Sequence, residues 1–346
     1  MKELRPLLGP VVVIALVGVA MLWSPFEPHG EPEGADMPLT AEPTWDDADW
    51  AVLEEKVRWA AGLRLDTLPL GSAMAAIGRT FVGTPYVPHT LEVEGPERLV
   101  IDFQGLDCVT FVENVFALAR FVRGGGAGRL ADRGRAEAAY ETLLREIRYR
   151  DGRIAGYPSR LHYFSDWIGH NDARGLVEDV TAALGGVPET EPVDFMTTHA
   201  SAYRQLADAG NVAAVRAAEE RLSASSRHWL PERSIAAAAL RIRDGDVIAA
   251  TSTVPGLDVA HTGLALWVDG ALHLLHAPLV GDSVEISAVP LADRILSMEG
   301  QDGIMVARPL DARFPDTSPP DTGPRDAEPQ DARPQDGPRD AGSRGR

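Results

Sequence analysis

The stretch that decides the fold is HTGLALWVDGALHLLHAPL, residues 261–279. Two mainly apolar runs flank the dipeptide Asp269-Gly270, and Asp-Gly between such runs is a strong signal for a β-hairpin with a two-residue turn. If these two residues occupy the centre of the turn, Val268 pairs with Ala271. The stretch therefore predicts two adjacent antiparallel strands with a defined register.

This register brings two histidines to one face of the sheet. Counting back from the turn places Gly263 opposite His276, and His261 lies two positions from Gly263 on the same strand. His261 and His276 are thus predicted to be diagonal neighbours with Cα atoms about 7–8 Å apart, which two imidazoles can span. His273 pairs with Leu266 and is predicted to face the other side. One extra residue in the turn would separate the two histidines.

The remaining patterns place helices early in the chain and strands late. Besides the hairpin, strands are predicted in GDVIAATST and SVEISAVP. Helical patterns occur in DWAVLEEKVRWAAGL, PLGSAMAAIGRTFV, RAEAAYETLLREIRY and, in the middle of the chain, HASAYRQLADAGNVAAVRAAEERLSA. Helices followed by an antiparallel sheet predict an α+β fold.

The only cysteine, Cys108, begins an apolar helix in GLDCVTFVENVFALARFV, residues 105–122. Asp107 is a good N-cap, which places the thiol in the first turn. The positive end of the helix dipole lowers the pKa of a thiol there, and the free N–H groups could receive an oxyanion. An accessible thiol with a low pKa is expected if a base reaches it. The alternative is a small core residue beneath a helix cap, and position alone does not choose.

Together these residues predict the nucleophile, base and orienting group of a cysteine hydrolase. If the helix packs on the histidine face of the hairpin, Cys108 comes close to His261, with His276 behind it. Two histidines and a cysteine could instead bind zinc. No fourth ligand accompanies either the cysteine or the hairpin. We therefore predict a catalytic group without a metal or cofactor.

Both ends of the chain are predicted to lie outside the folded domain. Residues 1–24 form a signal peptide or an uncleaved anchor, because the apolar run 7–23 is near the minimum of about 17 residues for crossing a bilayer. Residues 25–47 have the composition of a linker. Residues 311–346 form a tail rich in Pro, Asp and Arg that is too poor in apolar side chains to fold. Residues 48–310 are then one hydrolase domain.

The net negative charge and the predicted export of the chain limit the partners that it can bind. The chain of 346 residues carries a net charge of −18, and most of the acidity lies in the predicted domain. Such a surface is a poor ligand for phosphates, so nucleic acid is excluded as a partner. We expect an exported protein of the periplasm or cell envelope, which is attached to the membrane if the apolar run 7–23 stays uncleaved. We also expect the protein to be a monomer.

Six blocks, in order, resemble a known family. They are FVGTPYVPHTLE, LVIDFQGLDCVTFVENVFALA, IRYRDGRIAGYPSRLHYFSDWI, VDFMTTHASAYRQL, GDVIAATSTVPGLDVAHTGLAL and LLHAPLVGDSVEIS, within residues 79–309. The chain resembles the N-acetylmuramoyl-L-alanine amidase-like branch of the NlpC-type bacterial cell-wall cysteine hydrolases, which have a papain-like α+β fold. The resemblance implies that Cys108 is the nucleophile, that His261 is the general base and that His276 orients it. It also implies that Tyr86, in GTPY, lines the active site.

The third block contains further candidates for the substrate pocket. Arg160, His162 and Tyr163 either line the pocket or belong to an insertion packed by its own aromatic residues. With Tyr86 and Asp107, they complete the set of candidate site-lining residues.

The resemblance implies a hydrolase of peptidoglycan stem peptides, acting on the wall or on muropeptide fragments. The bond is either the one between the lactyl group of muramic acid and L-alanine, or the one between γ-D-glutamate and a diamino acid. Two other classes remain open, an acyltransferase on the same fold and a non-catalytic wall-binding module. The presence of all three predicted catalytic residues disfavours the module.

Overall fold

The computed structural model describes residues 41–279 and 281–311. The predicted signal or anchor segment, most of the predicted linker and all but the first residue of the predicted tail lie outside this range. Among the described residues, no helix combines the length and apolar character needed to cross a membrane.

The fold mixes helices and strands, and its first half is mainly helical. The described α-helices are α1 (Asp47–Gly62), α2 (Leu70–Arg79), α3 (Cys108–Arg123), α4 (Gly126–Arg129), α5 (Arg133–Arg148), α6 (Phe164–Ala173), α7 (Phe195–Thr198), α8 (Ala209–Ser223), α9 (Glu232–Ala238) and α10 (Leu291–Ser297). The middle pattern predicted as one helix is divided: short 3₁₀ turns precede α8.

The described strands are β1 (Ala41–Thr44), β2 (Arg98–Val100), β3 (Val177–Asp179), β4 (Val187–Glu189), β5 (Arg227–Pro231), β6 (Val247–Ser252), β7 (Val259–Val268), β8 (Ala271–His276), β9 (Glu285–Ile286) and β10 (Gln301–Pro309). The main sheet has the order β4-β5-β10-β6-β7-β8-β9, and β3 also pairs with β10. All of its pairs are antiparallel. The strand patterns had not indicated β10, although it lies inside the sheet.

The β7-β8 hairpin has the predicted register. Val268 pairs with Ala271, and the pairing continues without a shift to the far end of the hairpin. Asp269 and Gly270 both have positive φ, 49° and 81°. Two central residues with positive φ define a type I′ turn, whose twist matches that of the flanking strands.

Helices cover both faces of the main sheet. Leu264, Leu266 and Leu275 point into the larger core with residues of α1, α2, α3 and α5. Ala265 and Leu274, one position away, point into a second core with α9 and α10. This alternation follows from the two-residue period of a strand.

Capping and a buried ion pair fix α3. The Asp107 carboxylate accepts a hydrogen bond from the Thr110 N–H at 2.8 Å, and the Thr110 hydroxyl accepts one from the Asp107 N–H at 2.9 Å. Such a reciprocal arrangement is a capping box. Farther along α3, the Glu113 carboxylate lies 2.6 Å from the Arg148 guanidinium of α5, with both side chains buried. The start of α3 therefore has a defined position in the core.

Contacts with the folded body reach both ends of the described range. Strand Ala41–Thr44 pairs with β2, and Asp46 caps α1, so this part of the predicted linker belongs to the body. At the other end, Asp311 accepts a hydrogen bond from the Leu70 N–H at 3.1 Å and lies 3.3 Å from the Arg123 guanidinium. These capping and pairing partners are distant in sequence, so they give no local signal.

Candidate active site

The start of α3 presents unpaired backbone donors beside the thiol. Cys108 is the first residue of the helix. The first N–H groups of a helix have no intrahelical acceptor. The capping box satisfies those of Asp107 and Thr110, which leaves the N–H groups of Cys108 and Val109. Two adjacent donors of this kind can stabilise a developing oxyanion.

Strand β7 holds the first turn of α3 through a side-chain hydrogen bond. The Thr262 hydroxyl donates to the Cys108 carbonyl at 2.8 Å. This contact places Cys108 next to the residue that follows His261. Nothing in the sequence had singled out Thr262, because its importance depends on how the helix and the strand pack.

A β-bulge lies at the same end of β7. His261 pairs with Ala250, but the next pair is Val259 with Thr251, so Ala260 has no partner on β6. Bulges re-aim side chains and are common beside active sites. Helix α3 bonds to Thr262 and packs with Leu264 and Leu266 of β7, whereas the sequence had left open which face of the hairpin this helix covers. His261 lies between Thr262 and the bulge.

The two histidines form a buried hydrogen-bonded pair. His261 Nε2 lies 2.7 Å from His276 Nδ1, with the rings nearly perpendicular at 84°. His261 is 8% exposed and His276 is 1% exposed. A Cβ atom on Gly263 would lie 2.9 Å from His276 Cβ, so this close approach requires glycine. With Nε2 engaged, Nδ1 is the His261 nitrogen left for a proton transfer.

Both imidazoles are held in the neutral form. Burial, then His276 and Arg294, lower the pKa of His261 well below its usual range. Burial and the Arg294 guanidinium lower the pKa of His276 to about 3. A neutral His261 can accept a proton at neutral pH, as a general base must.

The pKa of the Cys108 thiol differs from the expectation. Burial, and next the Asp107 carboxylate, raise the pKa of Cys108 to about 11, although hydrogen bonds from Thr262 act in the opposite direction. The predicted low pKa is therefore wrong for the resting protein. The thiol and the His261 ring are not hydrogen-bonded at rest, and catalytic contacts often tighten only when substrate binds. The resting pair is a neutral thiol and a neutral imidazole.

Tyr86 lies beside the thiol. Its N–H donates to the Asp282 carbonyl at 2.9 Å, and it bridges to Leu106 just before α3. Burial raises the pKa of the Tyr86 hydroxyl, and negative charge on Cys108 and Asp107 raises it further. The GTPY segment thus runs between the loop that follows His276 and the residues that precede the thiol.

Arg160 acts on the segment after GTPY. Its guanidinium lies 2.6 Å from the Glu92 carboxylate and donates to the Leu91 carbonyl at 3.1 Å. Nearby, the Thr90 hydroxyl donates to Asp107 Oδ2 at 2.8 Å. Arg160 therefore anchors the segment that supports Asp107.

The other two candidates of the third block also have protein partners. His162 Nε2 lies 2.8 Å from the Tyr157 carbonyl, so it donates there. The Tyr163 hydroxyl donates to Glu219 at 2.7 Å and accepts from the Met196 N–H at 2.7 Å. These contacts belong to a third cluster of buried residues around α8. They favour the packed insertion, and substrate binding by these residues stays a prediction.

The described residues, then, combine an α+β body with a thiol, a histidine pair and free helix-start donors at one end of a strand. The family model for N-acetylmuramoyl-L-alanine amidase-like proteins, called AmiA-like, matches residues 76–303. The chain belongs to this family of peptidoglycan hydrolases.

Several solved structures are similar to this chain. An N-acetylmuramoyl-L-alanine amidase from Bacteroides uniformis is 39% identical, covering 70% of this chain and 99% of its own, with a TM-score of 0.64. A protein from Bacteroides fragilis described as a putative xylanase is also 39% identical, covering 67% and 98%, with a TM-score of 0.61. A Legionella pneumophila protein of the DUF1460 model is 21% identical, covering 76% and 96% with a TM-score of 0.56, and shares the fold. No curated protein is similar enough in sequence to match.

Proposed function

We propose that the protein is a cysteine amidase that cleaves the bond between the lactyl group of muramic acid and L-alanine in peptidoglycan. The observation that carries this proposal is the 2.7 Å hydrogen bond between His261 of β7 and His276 of β8, beside the hydrogen bond from Thr262 of β7 to the Cys108 carbonyl. It leaves His261 Nδ1 for the thiol proton. The family and the Bacteroides uniformis relative support the choice of bond.

In the proposed first half-reaction, Cys108 attacks the amide carbonyl while its thiol proton passes to His261 Nδ1. The raised pKa of the thiol makes this a concerted general-base step rather than attack by a preformed thiolate. The N–H groups of Cys108 and Val109 bind the oxyanion. When the C–N bond breaks, His261 returns the proton to the leaving amine of L-alanine, and a thioester remains on Cys108.

In the second half-reaction, water attacks the thioester. His261 takes a proton from this water, and the carboxylic acid of the lactyl group is released with the thiol regenerated. His276 accepts a hydrogen bond from the Nε2–H of His261 throughout, which fixes the ring orientation. Tyr86 lines the site next to the thiol.

The remaining proposals concern the setting. The helix-start cysteine and the histidine-bearing sheet support a papain-like, NlpC-type arrangement. The sequence of residues 1–24 supports export to the periplasm or cell envelope, with anchoring through residues 7–23 if they are not cleaved. We also expect a monomer that acts on peptidoglycan or muropeptides.

Digestion of purified muropeptides, followed by mass spectrometry, tests the proposed bond. The amidase releases a free peptide that begins with L-alanine and a sugar without peptide. A γ-D-glutamyl endopeptidase would leave L-alanyl-D-glutamate on the sugar, and an acyltransferase would pass the acyl group to an added amine. Turnover by Cys108→Ala equal to wild type would disprove the proposed nucleophile.

A further inference from the structure

The second ring nitrogen of His276 has no hydrogen-bond partner among the described residues. For His261 to accept a proton at Nδ1, its Nε2 must carry hydrogen and donate to His276 Nδ1. His276 is then protonated at Nε2 while neutral. This Nε2 is buried and makes no hydrogen bond to any described residue. The pair therefore ends in a buried N–H donor that lacks an acceptor.

A carboxylate lies just beyond hydrogen-bond distance of this donor. Glu285 of β9 pairs directly with His276 of β8. Side chains of directly opposed residues share a face of the sheet. Glu285 Oε1 is 3.9 Å from His276 Nε2, and the Glu285 side chain is 49% exposed. A half-exposed side chain is free to rotate, so the carboxylate can close this gap.

We propose that Glu285 is a positioning residue of the reaction, whose carboxylate accepts a hydrogen bond from His276 Nε2–H as His261 becomes an imidazolium. The inference rests on the proposed function, because it extends the group Cys108, His261 and His276 by a fourth member. No proton leaves His276 in this step. Glu285 acts only through His276 and does not touch the substrate.

The positive charge of Arg294, near the His261–His276 pair, disfavours the imidazolium form of His261. Arg294 of α10 lowers the pKa of both His261 and His276. The Glu285 carboxylate attracts this guanidinium and raises the pKa of Arg294, although burial has the larger, opposite effect. In the proposed mechanism, the other ionisable group that faces the two histidines is the Cys108 thiol of α3. Glu285 thus accepts a hydrogen bond from the buried His276 Nε2–H and also offsets the positive charge of Arg294 on the two rings.

Turnover of muropeptides by Glu285→Gln tests the inference. Glu285→Gln keeps the shape and an acceptor oxygen but removes the negative charge, so kcat should fall about tenfold, because a charge-assisted hydrogen bond is about twice as strong as a neutral one. Asp293→Asn, an exposed acid of the same helix as Arg294, is the matched control and should turn over like wild type. Equal kcat for Glu285→Gln and wild type would overturn the inference.

A second measurement does not depend on turnover. In a Cys108→Ala background, NMR can follow the titration of the His276 ring. Arg294→Gln should move this titration to higher pH, and adding Glu285→Gln should move it back to lower pH. If the second substitution leaves the titration unchanged, Glu285 does not act on His276 and the inference fails. Inactivity of the wild-type protein towards muropeptides would instead disprove the proposed function, while the NMR result would still decide the role of Glu285.

Discussion

At the scale of single residues, burial outweighs the helix dipole at Cys108. The dipole is worth about 0.3–1 kcal/mol at an exposed helix end. Cys108 is half-buried, yet desolvation is the largest effect on its thiol and raises the pKa to about 11, where one pKa unit corresponds to about 1.4 kcal/mol. Asp107 caps the helix and also adds a negative charge next to the thiol. The resting thiol is therefore expected to be protonated at neutral pH.

The first prediction follows from this protonation. Alkylation of Cys108 by iodoacetamide should be slow at pH 7 and should rise with pH beyond the free-thiol value of about 8.5, because only the thiolate reacts. Asp107→Asn keeps a capping side chain but removes the charge, so its rate profile should move to lower pH. A reaction that is already at its maximum rate below pH 7 would show that a stable thiolate exists at rest.

The second prediction concerns the histidines, which the sequence had ranked by register. His261→Ala should be as inactive as Cys108→Ala, because both the base and the acid for the leaving amine are lost. His276→Gln should keep measurable kcat, since an amide can still accept the hydrogen bond, and His276→Ala should fall further. His273→Ala should be close to wild type in kcat, because that ring bonds to the Ser287 carbonyl at 2.8 Å. An inactive His273→Ala beside an active His276→Ala would contradict the site.

At the scale of elements, the sequence determined the hairpin but not what packs around it. Asp269-Gly270 sets a type I′ turn, and the turn sets the register that pairs the histidine strands. The bulge at Ala260 escaped prediction, because it depends on the fit between β6 and β7 and not on a local signal. The raised pKa of Cys108 was not predicted for the same reason, because burial is a property of the assembled helix and sheet.

The third prediction tests the contact between α3 and β7. Thr262→Val removes the hydroxyl that bonds to the Cys108 carbonyl and leaves the volume nearly unchanged. The free energy of unfolding should fall by about 1 kcal/mol, and kcat should also fall, because the thiol loses its fixed position. Thr251→Val is the matched control, since its buried hydroxyl bonds to Asp302 away from the thiol. Urea denaturation measures the free energy of unfolding of both variants, and turnover of muropeptides measures their kcat. An equal loss of kcat in both variants would reject a positioning role for Thr262.

At the scale of the whole molecule, the site depends on segments far apart in the chain. Cys108 comes from the helical first half, and the histidines come from a sheet completed by β10 near the end of the described residues. The apolar run in β10 is buried on both sides. Such a run cannot be distinguished from a buried helix segment by periodicity. The sequence thus indicated the α+β class and the histidine hairpin, whereas the breadth of the sheet emerged only from the assembled structure.

The last prediction concerns where the folded body ends. The sequence predicts that residues 311–346 do not fold, but Asp311 contacts Leu70 and Arg123. A chain that ends at Asp311 should therefore keep the kcat and the melting temperature of the full chain. Adding Asp311→Ala to this shortened chain should cost about 1 kcal/mol, because α2 loses a capping carboxylate and Arg123 loses its partner. The melting temperature should then fall by about 2–4 °C, with kcat on muropeptides unchanged. A large loss of activity in the chain that still contains Asp311 would show that the tail contributes to the folded enzyme.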